Sequence, residues 1–268
     1  MRVAVVGHVE WVEFLRVERI PAAGQIVHAL DWWDEPAGGG AVAAVQLARL
    51  AGEATFFTAL GDDELGHRAF ELLRGMGLAV HAVWRREPQR RAVTFVDAAG
   101  ERTITVVGPR IAPRGSDPLP WHELAGADGV YFTAGDAGAL RAARSARVLT
   151  ATPRALATLR EAHVELDALI GSGVDAGERY EQGDLDPPPR LRVTTLGRQG
   201  GRSEPGGPFP AADPPGPVVD TYGAGDSFAA GLTYGLAAGL GREEAIALAA
   251  RCGAEALTGR GAYARFRV

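Results

Sequence analysis

The spacing of apolar residues changes character several times along the chain, and each change predicts an element. Val3-Ala4-Val5-Val6 is an unbroken apolar run ending at Gly7, as in a strand buried on both faces. Residues 8–33 hold β-branched and aromatic side chains without helical period, punctuated by Pro21 and Gly24. They predict strands of a small sheet that leaves the main body. Beyond Gly38-Gly39-Gly40, residues 41–51 predict a helix closed by Gly52. A strand over 55–60 follows, then a helix over 64–74 capped by Asp62 or Asp63, with Leu65, Phe70 and Leu73 on its inner side. Residues 79–107 turn β-like, and 93–96 and 103–106 flank Asp97-Ala98-Ala99-Gly100 as a hairpin. A second β element is therefore expected from about 8–34 and 80–108, interleaved with the main sheet.

From Asp128 onward the pattern alternates. Strands over 130–133, 148–151, 168–170 and 191–195 are interspersed with helices over 139–146 and 153–162. That alternation argues for parallel strands joined by crossover helices, an α/β fold. Residues 200–217 are rich in Gly and Pro and predict a surface hairpin or loop. Helices over 228–238 and 242–258 close the chain. No repeat or linker divides it, so a single domain over 1–268 is expected.

Composition narrows the function classes. A formal net charge of −5 gives no global attraction to nucleic acid or an anionic membrane. The single Cys252 excludes an intrachain disulfide and suits a reducing cytoplasm. It lies in an apolar helical stretch, where core packing is the ordinary role. The apolar start Val3-Ala4-Val5-Val6 is too short for a signal-peptide core, and the run over 228–240 is too short to span a bilayer.

The chemistry concentrates in Asp220-Thr221-Tyr222-Gly223-Ala224-Gly225-Asp226-Ser227-Phe228. Its glycines permit a tight turn that opens a helix of small and apolar residues. The first amides of that helix lack intrahelical partners and, with the helix dipole, suit an anion such as phosphate. Asp226 in that first turn is readable as a cap. A carboxylate also repels an anion, so its presence makes sense if it takes a proton from the group that attacks a phosphate.

The extended stretch resembles the Asp-Thr-x-Gly-Ala-Gly-Asp signature of the ribokinase-like (PfkB) carbohydrate kinases. Further segments in the same order resemble that family: Pro21-x-x-Gly24 and Gly38-Gly39-Gly40, Gly61-Asp62-Asp63-x-x-Gly66, Gly100-Glu101-Arg102-Thr103 of a lid hairpin, and Thr195-Leu196-Gly197 with Gly200. The resemblance implies a three-layer α/β/α domain with a mainly parallel sheet and a small β-sheet lid. It implies ATP-dependent phosphoryl transfer to a sugar-like alcohol, with Asp226 as general base and the amides of Gly223, Ala224 and Gly225 as anion hole. Thr195, Gly197 and Gly200 would approach the nucleotide phosphates. Residues 249–253, with Cys252 and Gly253, and the turn Gly259-Arg260-Gly261-Ala262 would hold the adenine. Asp175-Ala176-Gly177-Glu178 resembles the family's Asn-x-x-Glu motif, with Asp in place of Asn, and implies Mg²⁺ held through water by Asp175 and Glu178. Asp220 and the backbone at Tyr222 resemble the edge of a K⁺ site. Trp32 and Trp33 sit just before the glycine run, and an apolar face of the lid needs cover, either from the active site or from a second copy in a homodimer.

On the acceptor side the chain departs from the family. The place of the usual sugar-binding Asp falls near Val12, leaving Glu10 as the favoured carboxylate beside Gly38, Gly39 and Gly40. Gly38-Gly39-Gly40-Ala41-Val42-Ala43 lacks the Lys and Asn of ribokinase proper, which argues against ribose. Arg85, Arg86, Arg90 and Arg91 crowd the start of the lid hairpin, and Arg91 is the candidate for gripping a phosphate or carboxylate of the acceptor. Two other functions compete: a non-catalytic sugar- or nucleotide-binding protein on the same fold, and a nicotinamide-dependent oxidoreductase. The latter needs Gly-x-x-Gly opening a helix after Gly7, where His8-Val9-Glu10 stands instead.

Overall fold

In the computed structural model, which describes residues 1–263, the apolar run at the N-terminus forms the fully buried strand β1 (Val3–Val6). Residues 264–268 of the expected domain lie outside the described part. The chain leaves β1 not into a helix but into β2 (Glu10–Arg16) and β3 (Asp31–Ala37), an antiparallel pair. That removes the dinucleotide-binding arrangement, which requires a helix there. The chain returns through α1 (Gly39–Ala51) and β4 (Ala54–Gly61) to α2 (Glu64–Gly75), capped by Asp63, whose Oδ1 accepts from the Gly66 amide. Next come β5 (Leu78–Arg85), β6 (Arg91–Val96) and β7 (Arg102–Val107).

The predicted alternation then appears as β8 (Gly129–Phe132), α3 (Ala137–Ala143), β9 (Val148–Ala151), α4 (Leu156–Ala162), β10 (Ala168–Ser172) and β11 (Arg192–Thr195). The 200–217 stretch contributes a hairpin of β12 (Gly201–Glu204) and β13 (Gly207–Phe209) at the sheet edge. The last helices are α5 (Ala224–Ala237) and α6 (Arg242–Ala256).

Nine strands form the large sheet in the order β13-β12-β11-β10-β9-β8-β1-β4-β5, parallel from β11 to β5. The small sheet runs β3-β2-β6-β7. β5 corrects the sequence expectation: it extends the large sheet beside β4 rather than joining the lid. Its side chains are half-buried along most of its length without strict alternation, a pattern that fits an edge strand of either sheet, so periodicity could not assign it.

Side chains of β1 alternate between two cores. Val3 and Val5 pack with α1, α5 and α6, while Ala4 and Val6 pack with α3 and α4 on the other face. This is the three-layer α/β/α arrangement, with the small sheet as a lid. Phe14 and Trp33 join the first core and stack at 4.9 Å, so the lid grows out of it. The carboxyl ends of β1, β10 and β11 and the N-termini of α1 and α5 converge below the lid, where open parallel sheets bind ligands.

Candidate active site

The first turn of α5 is the centre of the site. Gly223 caps it at φ 73°, and a methyl group there would lie 2.9 Å from Val42 Cγ1. Only glycine meets both demands without strain. Among the described residues, the amides of Gly223, Ala224 and Gly225 have no hydrogen-bond partner. Gly225 is exposed with open space around it. The turn is thus a set of unpartnered main-chain donors, open to solvent at Gly225.

Asp226 sits among them, half-buried. Burial pushes its carboxyl up to about 7, helped by the charges of Glu178 and Glu10, while Arg102 and Arg154 hold it down. A methyl group on Gly39 would come within 2.8 Å of its Oδ1. The glycine run therefore lets α1 approach the carboxylate. Gly40 serves a backbone contact instead, since a methyl there would lie 2.6 Å from the His8 carbonyl.

The turn is braced from behind. The buried Tyr222 hydroxyl accepts from the Gly38 amide at 3.2 Å, tying the α1 and α5 caps together. Asp220 is 1% exposed; its Oδ1 accepts from the Tyr222 amide at 2.8 Å and its Oδ2 from the Gly261 amide at 3.0 Å. Burial shifts Asp220 upward, and those two amides oppose the shift. From the lid, Arg102 Nη1 donates to the Thr221 carbonyl and hydroxyl at 2.9 and 3.0 Å, and the Thr221 amide donates to the Gly100 carbonyl. The lid hairpin thus rests on the loop that feeds α5.

At the end of β10, Asp175 and Glu178 both pair with Arg154. Asp175 also accepts from the Gly177 amide, and Glu178 from the Ser172 amide at 2.7 Å. No cluster of three or more metal-ligating side chains exists among the described residues. With their oxygens engaged this way, the two carboxylates suit contact with a metal's water shell better than direct ligation. Both line a cleft of about 300 Å³ with Ser172, Thr194 and Arg192.

The other expected positions divide. Thr195 ends β11 beside Ser172, and Gly197 (φ 58°) and Gly200 (φ 79°) form the turn after it. A methyl on Gly200 would collide with the Phe209 carbonyl, a packing reason for this glycine. Gly261 lines a cavity of about 90 Å³ with Val42, Ser227 and Tyr263. Cys252 instead packs in the core against Gly231 of α5, and Gly253 lets α6 approach the Ala224 carbonyl; neither lines that cavity. Glu10 lies beside Gly38, with Arg90 Nε 2.8 Å and His8 Nε2 3.8 Å from its Oε1. Arg91 pairs with Glu13 within the lid, so the arginine that meets Glu10 is its neighbour Arg90.

Sequence reasoning missed His8, Arg110 and Arg154. Arg154 follows the carboxyl end of β9, where topology places ligand-facing residues. His8 immediately follows Gly7, and its only signal is adjacency to the end of β1.

The family model for pfkB family carbohydrate kinases matches residues 1–164 and 160–266. The chain belongs to this family. It is a carbohydrate kinase, and the fold, the lid and the glycine-rich α5 turn belong together in that light. The chain is 26% identical to the ATP-dependent ribose-1-phosphate kinase of Halopiger xanaduensis, over 95% of this chain and 91% of that protein. It superposes on ribokinase from Cryptococcus neoformans in complex with ADP with a TM-score of 0.72 and 25% identity, covering 97% of this kinase and 95% of that one. Ribokinase from Thermotoga maritima shares the fold at a TM-score of 0.76 and 21% identity, over 97% and 94% of the two chains. Among the described residues, no helix is long and apolar enough to cross a membrane.

Proposed function

We propose that this kinase transfers the terminal phosphoryl group of ATP to a hydroxyl of a sugar or sugar-like molecule, with Asp226 as general base. The observation that carries the reading is the Asp226 carboxylate, shifted to about 7, beside three unpartnered main-chain amides. A base near the operating pH combines sufficient basicity with an ionised fraction. The acceptor hydroxyl gives its proton to Asp226 while its oxygen bonds to the γ-phosphorus. The bond from that phosphorus to the β,γ-bridging oxygen breaks, releasing ADP. The amides of Gly223, Ala224 and Gly225 face the charge on the transferred group.

Mg²⁺, when bound, neutralises charge on the ATP phosphates. Asp175 and Glu178 would order its waters, with Arg154 fixing both carboxylates. Thr195, Gly197 and Gly200 flank the same β10–β11 end and would meet the phosphates, while Gly261 belongs to the adenine side. Asp220, anchored by two amides, is the candidate neighbour of a K⁺ ion. The lid excludes water from the acceptor and so limits ATP hydrolysis. The face of its sheet turned away from Phe14 and Trp33 carries exposed Trp32 and Val107, a surface that a second copy of the chain would cover.

Measuring ADP release with Asp226→Asn tests the core of this reading. Retained nucleotide binding with turnover lost supports it. Turnover near the wild-type rate removes Asp226 from the role.

A further inference from the structure

Below the lid, the charges around Glu10 do not balance. Arg90 approaches Glu10 at 2.8 Å, and the pair is largely buried, at 14% and 11% side-chain exposure. Arg110 comes within electrostatic reach of His8, Arg90, Glu10 and Arg154, yet among the described residues it makes neither an ion pair nor a hydrogen bond. Arg154 is already satisfied by Asp175 and Glu178. Two guanidiniums therefore share one carboxylate, and the charge of Arg110, an exposed residue, is left unpaired.

His8 adds a second observation. Its side chain is 8% exposed, and its Nδ1 is buried without a partner. Burial and the surrounding arginines hold it far down, at about 3, so it is a neutral imidazole beside the guanidiniums. A buried ring nitrogen without a partner costs stability unless a ligand meets it.

The location is specific. A methyl on Gly38 would touch Glu10 Cγ at 3.2 Å and His8 Nε2 at 3.4 Å, while one on Gly39 would touch Asp226 Oδ1. Consecutive residues of one turn thus separate the basic cluster from the base.

We propose that the acceptor carries an oxyanion group, a phosphate or a carboxylate, held by Arg90, Arg110 and His8 across the Gly38-Gly39 turn from Asp226. Guanidinium forks suit either group. The proposal rests on the kinase reading above and names the substrate class of that site. Arg91, which sequence favoured for this grip, is engaged with Glu13.

The test compares acceptors that each offer a free primary alcohol: ribose 1-phosphate, fructose 6-phosphate and gluconate against neutral ribose and fructose. At least one anionic acceptor is expected to exceed the neutral ones in kcat/KM. Arg110→Ala is expected to cut that ratio by about 30-fold or more, acting on the acceptor KM with the ATP KM unmoved. Arg110→Lys recovers part of it. Preference for the two phosphate esters assigns phosphate, and preference for gluconate assigns carboxylate. Neutral acceptors used equally well, or a ratio unchanged in Arg110→Ala, overturns the subsite and leaves the kinase reading standing. If no acceptor releases ADP, the kinase reading falls, and calorimetric titration without nucleotide decides the subsite alone. Binding of an anionic sugar that Arg110→Ala loses upholds it, and no binding to the wild type overturns it.

Discussion

Gly39 and Asp226 stand in such close contact that a methyl group on the glycine would come within 2.8 Å of the carboxylate oxygen. The contact joins the first residue of α1 to the first turn of α5 and fixes where the carboxylate points. Gly39→Ala meets only the tip of a side chain, which swings aside. The variant is expected to fold with little loss of stability and to lose about 10²-fold in kcat, the scale of a roughly 1 Å misplacement. Gly40→Ala meets the His8 backbone instead. It is expected to lose about 1–3 kcal/mol or more of stability. Thermal melts beside steady-state kinetics separate the two; equal stability losses would contradict the contact.

Asp226→Asn removes the proton acceptor but keeps the shape. Turnover is expected to fall by roughly 10²–10⁴-fold, with ATP binding within a few-fold of wild type. Isothermal titration with an ATP analogue beside ADP-release kinetics reads both.

The raised Asp226 group makes a stability prediction with a definite sign. From its usual 3.8 to about 7 the folded protein holds a proton that the unfolded chain has lost, so this residue makes stability fall as pH rises through that window. Asp226→Asn removes the slope. Its melting temperature relative to wild type is expected to climb between about pH 4 and 7 and then stay level. His8 runs the other way: it is held near 3 when folded, so stability is lost as pH falls from its usual 6.5 towards 3. The difference between variant and wild type isolates Asp226, and a flat difference would contradict its shift.

Neighbouring charges should move the kinetic titration in opposite directions. Glu178 raises Asp226 and Arg102 lowers it. The acid limb of kcat/KM, expected about pH 7 in the wild type, should shift to lower pH in Glu178→Gln and to higher pH in Arg102→Ala. Arg102→Ala also cuts the lid's side-chain bonds to Thr221. Faster proteolysis within 97–102 is expected alongside. Shifts in the same direction, or none, would show that the limb belongs to another group.

Most of the fold was legible because its signals are local. The apolar run of β1, the aspartate cap of α2 (Asp62 or Asp63 in sequence, Asp63 in the structure) and the alternation after Asp128 all act within a few residues. β5 was misplaced because its β-like residues mark a strand without naming the partner sheet. The α5 turn was legible because left-handed Gly223 and unpartnered amides leave a glycine signature. The acceptor side was not. Arg90 and Arg91 are adjacent and chemically identical, and only the β6 register decides which one meets Glu10. His8, Arg110 and Arg154 come from separate elements, and no spacing rule joins them.

The most direct measurement is a crystal structure of the kinase with Mg²⁺ and a non-hydrolysable ATP analogue. The terminal phosphate is expected within hydrogen-bonding distance, about 3 Å, of the amides at Gly223–Gly225, with Asp226 open to the acceptor space. A terminal phosphate bound away from that turn, or an Asp226 sealed off from the cleft once nucleotide is in place, would contradict the assignment.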